Sequence, residues 1–373
     1  MPKRKVKERT APSRKSRRLL EQTQLSEDAA YVASVLDAVK RLSTELESPE
    51  KWPTLKAQAE TRLREYRPGG RDGDDKLVAL LQALLDWLPE EGIDSIARDV
   101  NQSETDEALY GVFANLCSGL VYPMKATSGR SSVAESSSEK RREPAESIAA
   151  ALPYLETRDP SFRKTCLRRE GYRCIVTKYM DTEHWVNVGE PGDVDYGDFT
   201  RCAHHPFCIR LSRQKDVSKA WEAIFRCFPS VRRAGMSIER INDPSNGMMM
   251  VEDLHRQFDK FRFSLVATET PNVYKMKLYK KFSRYGVHNL PEDRLVTLTN
   301  APGGEDIALP SATLLDCHHR VAEVFNASGM AEEIDKKINE WENLKHDSSS
   351  RCLREDGTSD VSRSLSLGLW MSV

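Results

Sequence analysis

The feature that most constrains this chain is the stretch from Cys166 to Phe263, which sets histidines, an asparagine-glycine turn and a further histidine in a fixed order. Ala203-His204-His205-Pro206-Phe207 comes first. Ile241-Asn242-Asp243-Pro244-Ser245-Asn246-Gly247 follows, and then Asp253-Leu254-His255-Arg256-Gln257-Phe258-Asp259. Asn246-Gly247 is a tight-turn dipeptide, and Met248 to Val251 after it reads as a short strand. From Glu252 the period changes, because Leu254, Phe258 and Phe261 fall at i, i+4 and i+7, one apolar stripe of a helix. His255 lies beside that stripe in the first turn. Asp259, four residues on, lies over the same face one turn later.

This order of His, Asn-Gly and helical His resembles the HNH endonucleases, in particular the HNH nuclease domain proteins of filamentous fungi. The resemblance covers residues 156–345, with its specific motifs confined to 166–263. The segment Cys174-Ile175-Val176-Thr177 after Gly171-Tyr172-Arg173, and the run from Pro310 to Ile334, also resemble parts of the fungal proteins. It implies a ββα-metal nuclease-like domain with C-terminal helices, which, after the mainly helical N-terminal region that periodicity predicts, makes the fold class α+β. In such a domain one ββα unit holds a single divalent ion against a phosphodiester. Hydrolysis of that bond needs a base to activate water and a cation to stabilise the leaving oxygen. Imidazole suits the base role because its ordinary pKa lies near neutrality. The resemblance therefore implies His204 as general base, Asn246 as the residue that fixes the base-bearing loop, and His255 as a metal ligand. Asp259 is a second ligand or the carboxylate that orients His255.

The chain departs from the family pattern in two places. The family places two aliphatic residues between Ala-His and Pro-Phe, whereas only His205 separates His204 from Pro206 here. The register stays open: His204 matches the base through Ala203, and the alternative makes His205 the base or a metal ligand. The stretch between Cys174 and Cys202 is long and acidic, with Asp181, Glu183, Glu190, Asp193, Asp195 and Asp198. Such a loop beside a cleft would repel DNA or compete for its metal.

Charge sharpens the division of the chain. The net charge of −1 over 373 residues hides a basic segment at 1–25, with nine Lys/Arg against two Glu, and an acidic one at 26–124. The nuclease-like region is again basic, which suits salt-sensitive phosphate contacts. Hydrophobic residues make up 39% of the chain, enough for an ordinary core. The eight cysteines have no disulfide-framework spacing, and no secretory signal or membrane-length apolar run is expected. The thiols read as reduced and intracellular. Cys174 has no partner in a Cys-x-x-Cys pair, so no structural zinc is expected, and Cys166 and Cys174 read as core residues.

Along the chain, residues 1–25 read as a disordered basic tail whose Lys3-Arg4-Lys5 and Arg14-Lys15-Ser16-Arg17-Arg18 clusters predict nuclear localisation. Residues 26–124 read as an α-helical region, with helices over 29–48, 55–66, 76–88 and 107–122; it offers a docking face for a protein partner or supports the nuclease module. Residues 125–150 form a Ser/Glu/Arg-rich linker, and 346–373 a disordered tail. Within 156–345 the pattern predicts a helix over 163–169, a strand over 173–177, a helix over 217–228 facing a core, and strands over 263–266 and 274–278. Helices follow from Pro310, with His318-His319 read as non-ligands.

The sequence thus favours a metal-dependent endonuclease acting on nucleic acid, double-stranded DNA above all, in the nucleus. It would use one divalent ion (magnesium, manganese, zinc or nickel), and no membrane is involved. The alternative is a catalytically degenerate module that retains the scaffold and binds nucleic acid or protein.

Overall fold

The computed structural model describes residues 52–126, 160–199, 202–204, 214–237 and 240–337, with backbone alone for 160, 202–204 and 214–219. The basic tail, the helix expected over 29–48, His205 and the C-terminal tail lie outside the described residues, as does the linker except for Lys125 and Ala126, which are helical. Among those described, the fold is mixed and mostly helical, with small sheets.

The N-terminal helices form because apolar residues recur at helical spacing. They are α1 (Trp52–Glu65), α2 (Leu77–Trp87), α3 (Glu90–Asn101) and α4 (Asp106–Leu116). A wider π-helical turn (Cys117–Val121) carries α4 into α5 (Tyr122–Ala126). Helix α3 is absent from the sequence reading above, although Ile93, Ile96, Ala97 and Val100 are buried along one stripe at i, i+3, i+4 and i+7. Thr105 caps α4 by accepting a hydrogen bond from Ala108 N, which satisfies one orphan donor of the first turn.

Beyond 159, α6 (Pro160–Arg169) ends where Gly171 takes a positive φ. Gly171 N and Tyr172 N then bond back to the carbonyls of Arg168 and Leu167, a helix stop that glycine favours. The strand expected over 173–177 does not form. Arg173 makes one bridge to Met180, and the chain turns at 175–177, although Ile175 N still donates to Met249 O. The acidic stretch folds as a small module of its own. Strand β1 (Met180–Asp181) leads into α7 (Thr182–Asn187), and β2 (Tyr196–Gly197) returns to pair parallel with β1.

Strand β3 (Cys202–His204) is followed by α8 (Gln214–Cys227) and α9 (Pro229–Arg233). Strand β4 (Gly247–Met249) pairs antiparallel with β3 and leads directly to α10 (Glu252–Asp259). A three-stranded antiparallel sheet comes next: β5 (Phe263–Ala267), β6 (Val273–Leu278) and β7 (Leu295–Thr297). The long helix α11 (Ala312–Ser328) closes the described fold, with further helical residues at 330–337.

Two apolar cores result. The first is built from α1 to α5, and α8 and α11 lend it Trp221, Ile224, Phe228, Val321 and Phe325. The second gathers Cys166, Cys174, Met248 to Met250, Leu254, Phe258 and Phe263. Helix α11 faces both, since Leu314 belongs to the first core and Leu315 to the second. The helix that carries the candidate site, α10, buries Leu254 and Phe258 in the second core.

Candidate functional site

The site is assembled on β3, β4 and α10. Their register sets Cys202 opposite Met249, Ala203 opposite Met248, and His204 opposite Gly247. His204 therefore stands across from the first residue of β4, one short strand before α10. His205 and the imidazole of His204 lie outside what the structure describes.

Asn246 closes the 3₁₀ turn Pro244–Asn246 and is fully buried. Its amide donates to the Ile241 carbonyl at 2.9 Å, which ties both ends of the loop that leads into β4. Among the described residues its buried Oδ1 has no hydrogen-bond partner, an arrangement that usually costs about 1–3 kcal/mol. Asp243 starts the same turn, accepting from Ser245 N at 3.0 Å and from Ser245 Oγ at 2.7 Å. The local Asp-Pro-Ser-Asn sequence thus builds its own rigid turn from side-chain caps.

Helix α10 buries Leu254, Gln257 and Phe258 and presents the opposite side. Its first turn carries Glu252 and Asp253, which favour the positive end of the helix dipole, and Glu252 N donates to Asp198 O. His255 and Asp259 lie one turn apart, with Nε2 of His255 3.1 Å from Oδ2 of Asp259. An imidazole nitrogen and a carboxylate oxygen at that separation are the donor types that divalent transition ions and magnesium accept. Among the described residues no cluster of three His, Cys, Asp or Glu side chains is close enough to hold an ion. The described donor set is therefore this pair, and its chemistry fits a divalent cation.

Two groups to which the sequence assigned no part in the site hold these elements in place. Arg169, at the end of α6, is fully buried behind β4. It donates to the carbonyls of Pro244 at 2.7 Å, Ala308 at 2.8 Å and Gly247 at 2.6 Å. Its neighbour Glu170 pairs with it and accepts from Met249 N at 2.8 Å. Burial pushes the Glu170 carboxyl up to about 7, against the opposing pull of Arg169. The pair thus grips the turn before β4 and the strand itself. Nothing in Arg168-Arg169-Glu170 distinguishes it by sequence from a solvated charge run.

The second group is His318, which α11 places under α10. Its ring stacks on Phe258 at 3.6 Å between centroids and lies 4.8 Å from the Phe261 ring. Nε2 donates to the Phe258 carbonyl at 3.1 Å, while the buried Nδ1 has no partner among the described residues. Burial lowers its pKa to about 3, so the ring is neutral at physiological pH. His318 is a packing residue that satisfies a carbonyl in the last turn of the site helix.

The acidic module reaches the same helix. Asp181 caps α7 and pairs with Arg163, and the Trp185 and Tyr196 rings stack at 3.9 Å. A cavity of about 340 Å³ opens between this module, the start of α10 and Gly286.

Residues 174–266 match the family model of HNH endonuclease, a span that contains β3, β4 and α10. That match supports a nuclease-type domain in this chain. No curated protein and no solved structure gives a match. No helix among the described residues is long and apolar enough to cross a membrane.

Proposed function

We propose that the protein is a metal-dependent endonuclease that hydrolyses phosphodiester bonds of nucleic acid, with double-stranded DNA as the substrate and the nucleus as its place of action. The observation that carries the reading is the His255–Asp259 pair on the helix that directly follows β4, within the stretch that matches the HNH endonucleases. In this reading β3, β4 and α10 act as a ββα-metal unit. His255 and Asp259 hold one divalent ion (magnesium, manganese, zinc or nickel), and His204 is the general base, with His205 its alternative or a further ligand. Asn246 keeps the loop that leads into β4 fixed opposite the histidine strand. When bound, the ion supplies positive charge against the phosphate and its leaving oxygen. The residues supply the rest: an imidazole to take a proton from water, and a rigid hairpin that holds it in place.

The test is nicking of supercoiled plasmid by the purified full chain, with each of the four metals and with chelator. Metal-restored nicking that His255→Ala abolishes is the expected result. No cleavage with any of the four metals would sink the proposal.

One set of observations favours a second reading, a degenerate module that binds without cutting. Only one residue separates His204 from Pro206, and the acidic module contacts the helix that would bear the ion. Under that reading the wild type binds nucleic acid in chelator and never cleaves it.

A further inference from the structure

Between β6 and the 3₁₀ turn Gly286–Asn289, the segment Tyr279-Lys280-Lys281-Phe282-Ser283-Arg284-Tyr285 runs beside the site helix. At one end Tyr279 N donates to Arg262 O, just past the C-terminus of α10. At the other, Gly286 is packed so closely on the first turn of α10 that a Cβ there would lie 3.3 Å from Oδ2 of Asp253. Phe282 pins the middle, buried edge-on against Phe263 at 5.8 Å. The segment is thus held along the whole helix from a buried anchor.

Its outer surface has a different character. Tyr285 is 87% exposed, the most solvent-exposed of the large apolar and aromatic side chains described. Lys280, Lys281, Arg284 and His288, near it in sequence, are exposed as well, and among the described residues only Lys281 of the three strong cations has an ion-pair partner, Glu332. An exposed ring on a loop anchored by Phe282, with Lys280 and Arg284 in the same segment, offers what single-stranded nucleic acid needs: a flat face for a base and charge for its phosphates.

We infer that Tyr285 is a stacking platform for an unpaired DNA base, with Lys280 and Arg284 holding the flanking phosphates. The inference rests on the nucleic-acid reading above. It adds, within double-stranded DNA, a preference for places where bases are already unstacked, such as frayed ends and gaps. At 100° per residue, His255 and Asp259 lie along one flank of α10 and Asp253, which meets the loop, along the other. The loop and the donor pair thus lie along opposite flanks of α10.

The test uses a short single-stranded oligonucleotide carrying 2-aminopurine and the same sequence as a duplex. Affinity and fluorescence are measured in chelator so that cleavage plays no part. Wild type binds the single strand more tightly and quenches the probe. Tyr285→Ala loses quenching and about 5- to 150-fold in single-strand affinity, with little change on duplex. Tyr285→Phe, which keeps the ring, stays within about twofold of wild type. Lys280→Ala and Arg284→Ala weaken both probes and lower the salt slope by about one each.

Equal binding by wild type and Tyr285→Ala overturns the inference, as does an equal loss on both probes without a change in quenching. If wild type nicks plasmid while Tyr285 proves indifferent, this inference alone falls. If the chain never cleaves but the Tyr285 effect holds, the platform stands and the nuclease reading falls. No binding to either probe removes both, and leaves the exposed ring to a protein contact.

Discussion

The residue that answers most sharply to substitution is His255. Its Nε2 stands 3.1 Å from the Asp259 carboxylate, so removing the imidazole leaves one donor where two are needed. His255→Ala is expected to abolish both cleavage and binding of a divalent ion, read by nicking and by calorimetric titration. His204→Ala is expected to lower cleavage by about 10²- to 10⁴-fold, the usual effect of losing a general base, with DNA affinity nearly unchanged. If His205→Ala is the dead variant instead, the base lies one residue further along. His318 makes a separate prediction about pH. Its folded pKa is about 3 against an ordinary 6.5, so an unfolded chain takes up a proton below 6.5 that the folded chain refuses. Its contribution is present above pH 6.5 and is lost as pH falls from there toward 3. His318→Phe keeps the stack on Phe258 but removes that proton uptake. It should cost about 1 kcal/mol at pH 7, for the lost hydrogen bond, and flatten the fall of stability between pH 6.5 and 4 in urea titrations. An unchanged acid slope would mean that the ring is accessible to protons in the folded state.

At the scale of elements, β4 is held from behind by Arg169 and Glu170. The guanidinium satisfies three backbone carbonyls and the carboxylate satisfies Met249 N, so the pair fixes both the turn that contains Asn246 and the strand after it. Breaking one half of a buried pair leaves the other charge uncompensated. Arg169→Met is expected to destabilise by about 3–5 kcal/mol, with Arg169→Met/Glu170→Gln less damaging than the two single changes summed. Denaturant midpoints of the three variants check this, and simple additivity would show that the two side chains act independently. Most elements were visible in the pattern: Leu254 and Phe258 announced α10 and the switch of period after Val251 placed its start, but the helix stops at Asp259, and Phe261, read as part of the same stripe, takes a positive φ beyond its end. The strand expected at 173–177 failed for a local reason. Positive φ angles at Tyr172 and Lys178 fold that segment into a turn, and β-rich residues such as Ile175 and Val176 are buried there without a ladder of their own.

At the scale of the whole molecule, the helices of 52–126 share their core with α8 and α11. Helix α3 approaches α8 so closely that a Cβ on Gly92 would stand 2.3 Å from the Cys227 carbonyl oxygen. Gly92→Ala must push the two helices apart and should cost about 1–3 kcal/mol, read from thermal unfolding; an unperturbed midpoint would mean that the packing yields freely. A fragment beginning at residue 156 would uncover Trp221, Phe228 and Phe325, and is expected to aggregate where the full chain stays soluble.

The sequence by itself determined the local geometry around the candidate site: the helix that sets His255 and Asp259 one turn apart, and a turn before it, although that turn closes over Pro244–Asn246 and Gly247 opens β4 in extended form. Those features depend on spacing along the chain, which a sequence displays directly. Only the tertiary structure decided that Arg169 and Glu170 are buried rather than solvated, that His318 lies beneath Phe258, and that the loop ending in Tyr285 runs the length of α10. Each of these depends on segments distant in sequence meeting in space, where burial rather than residue type sets what a side chain does.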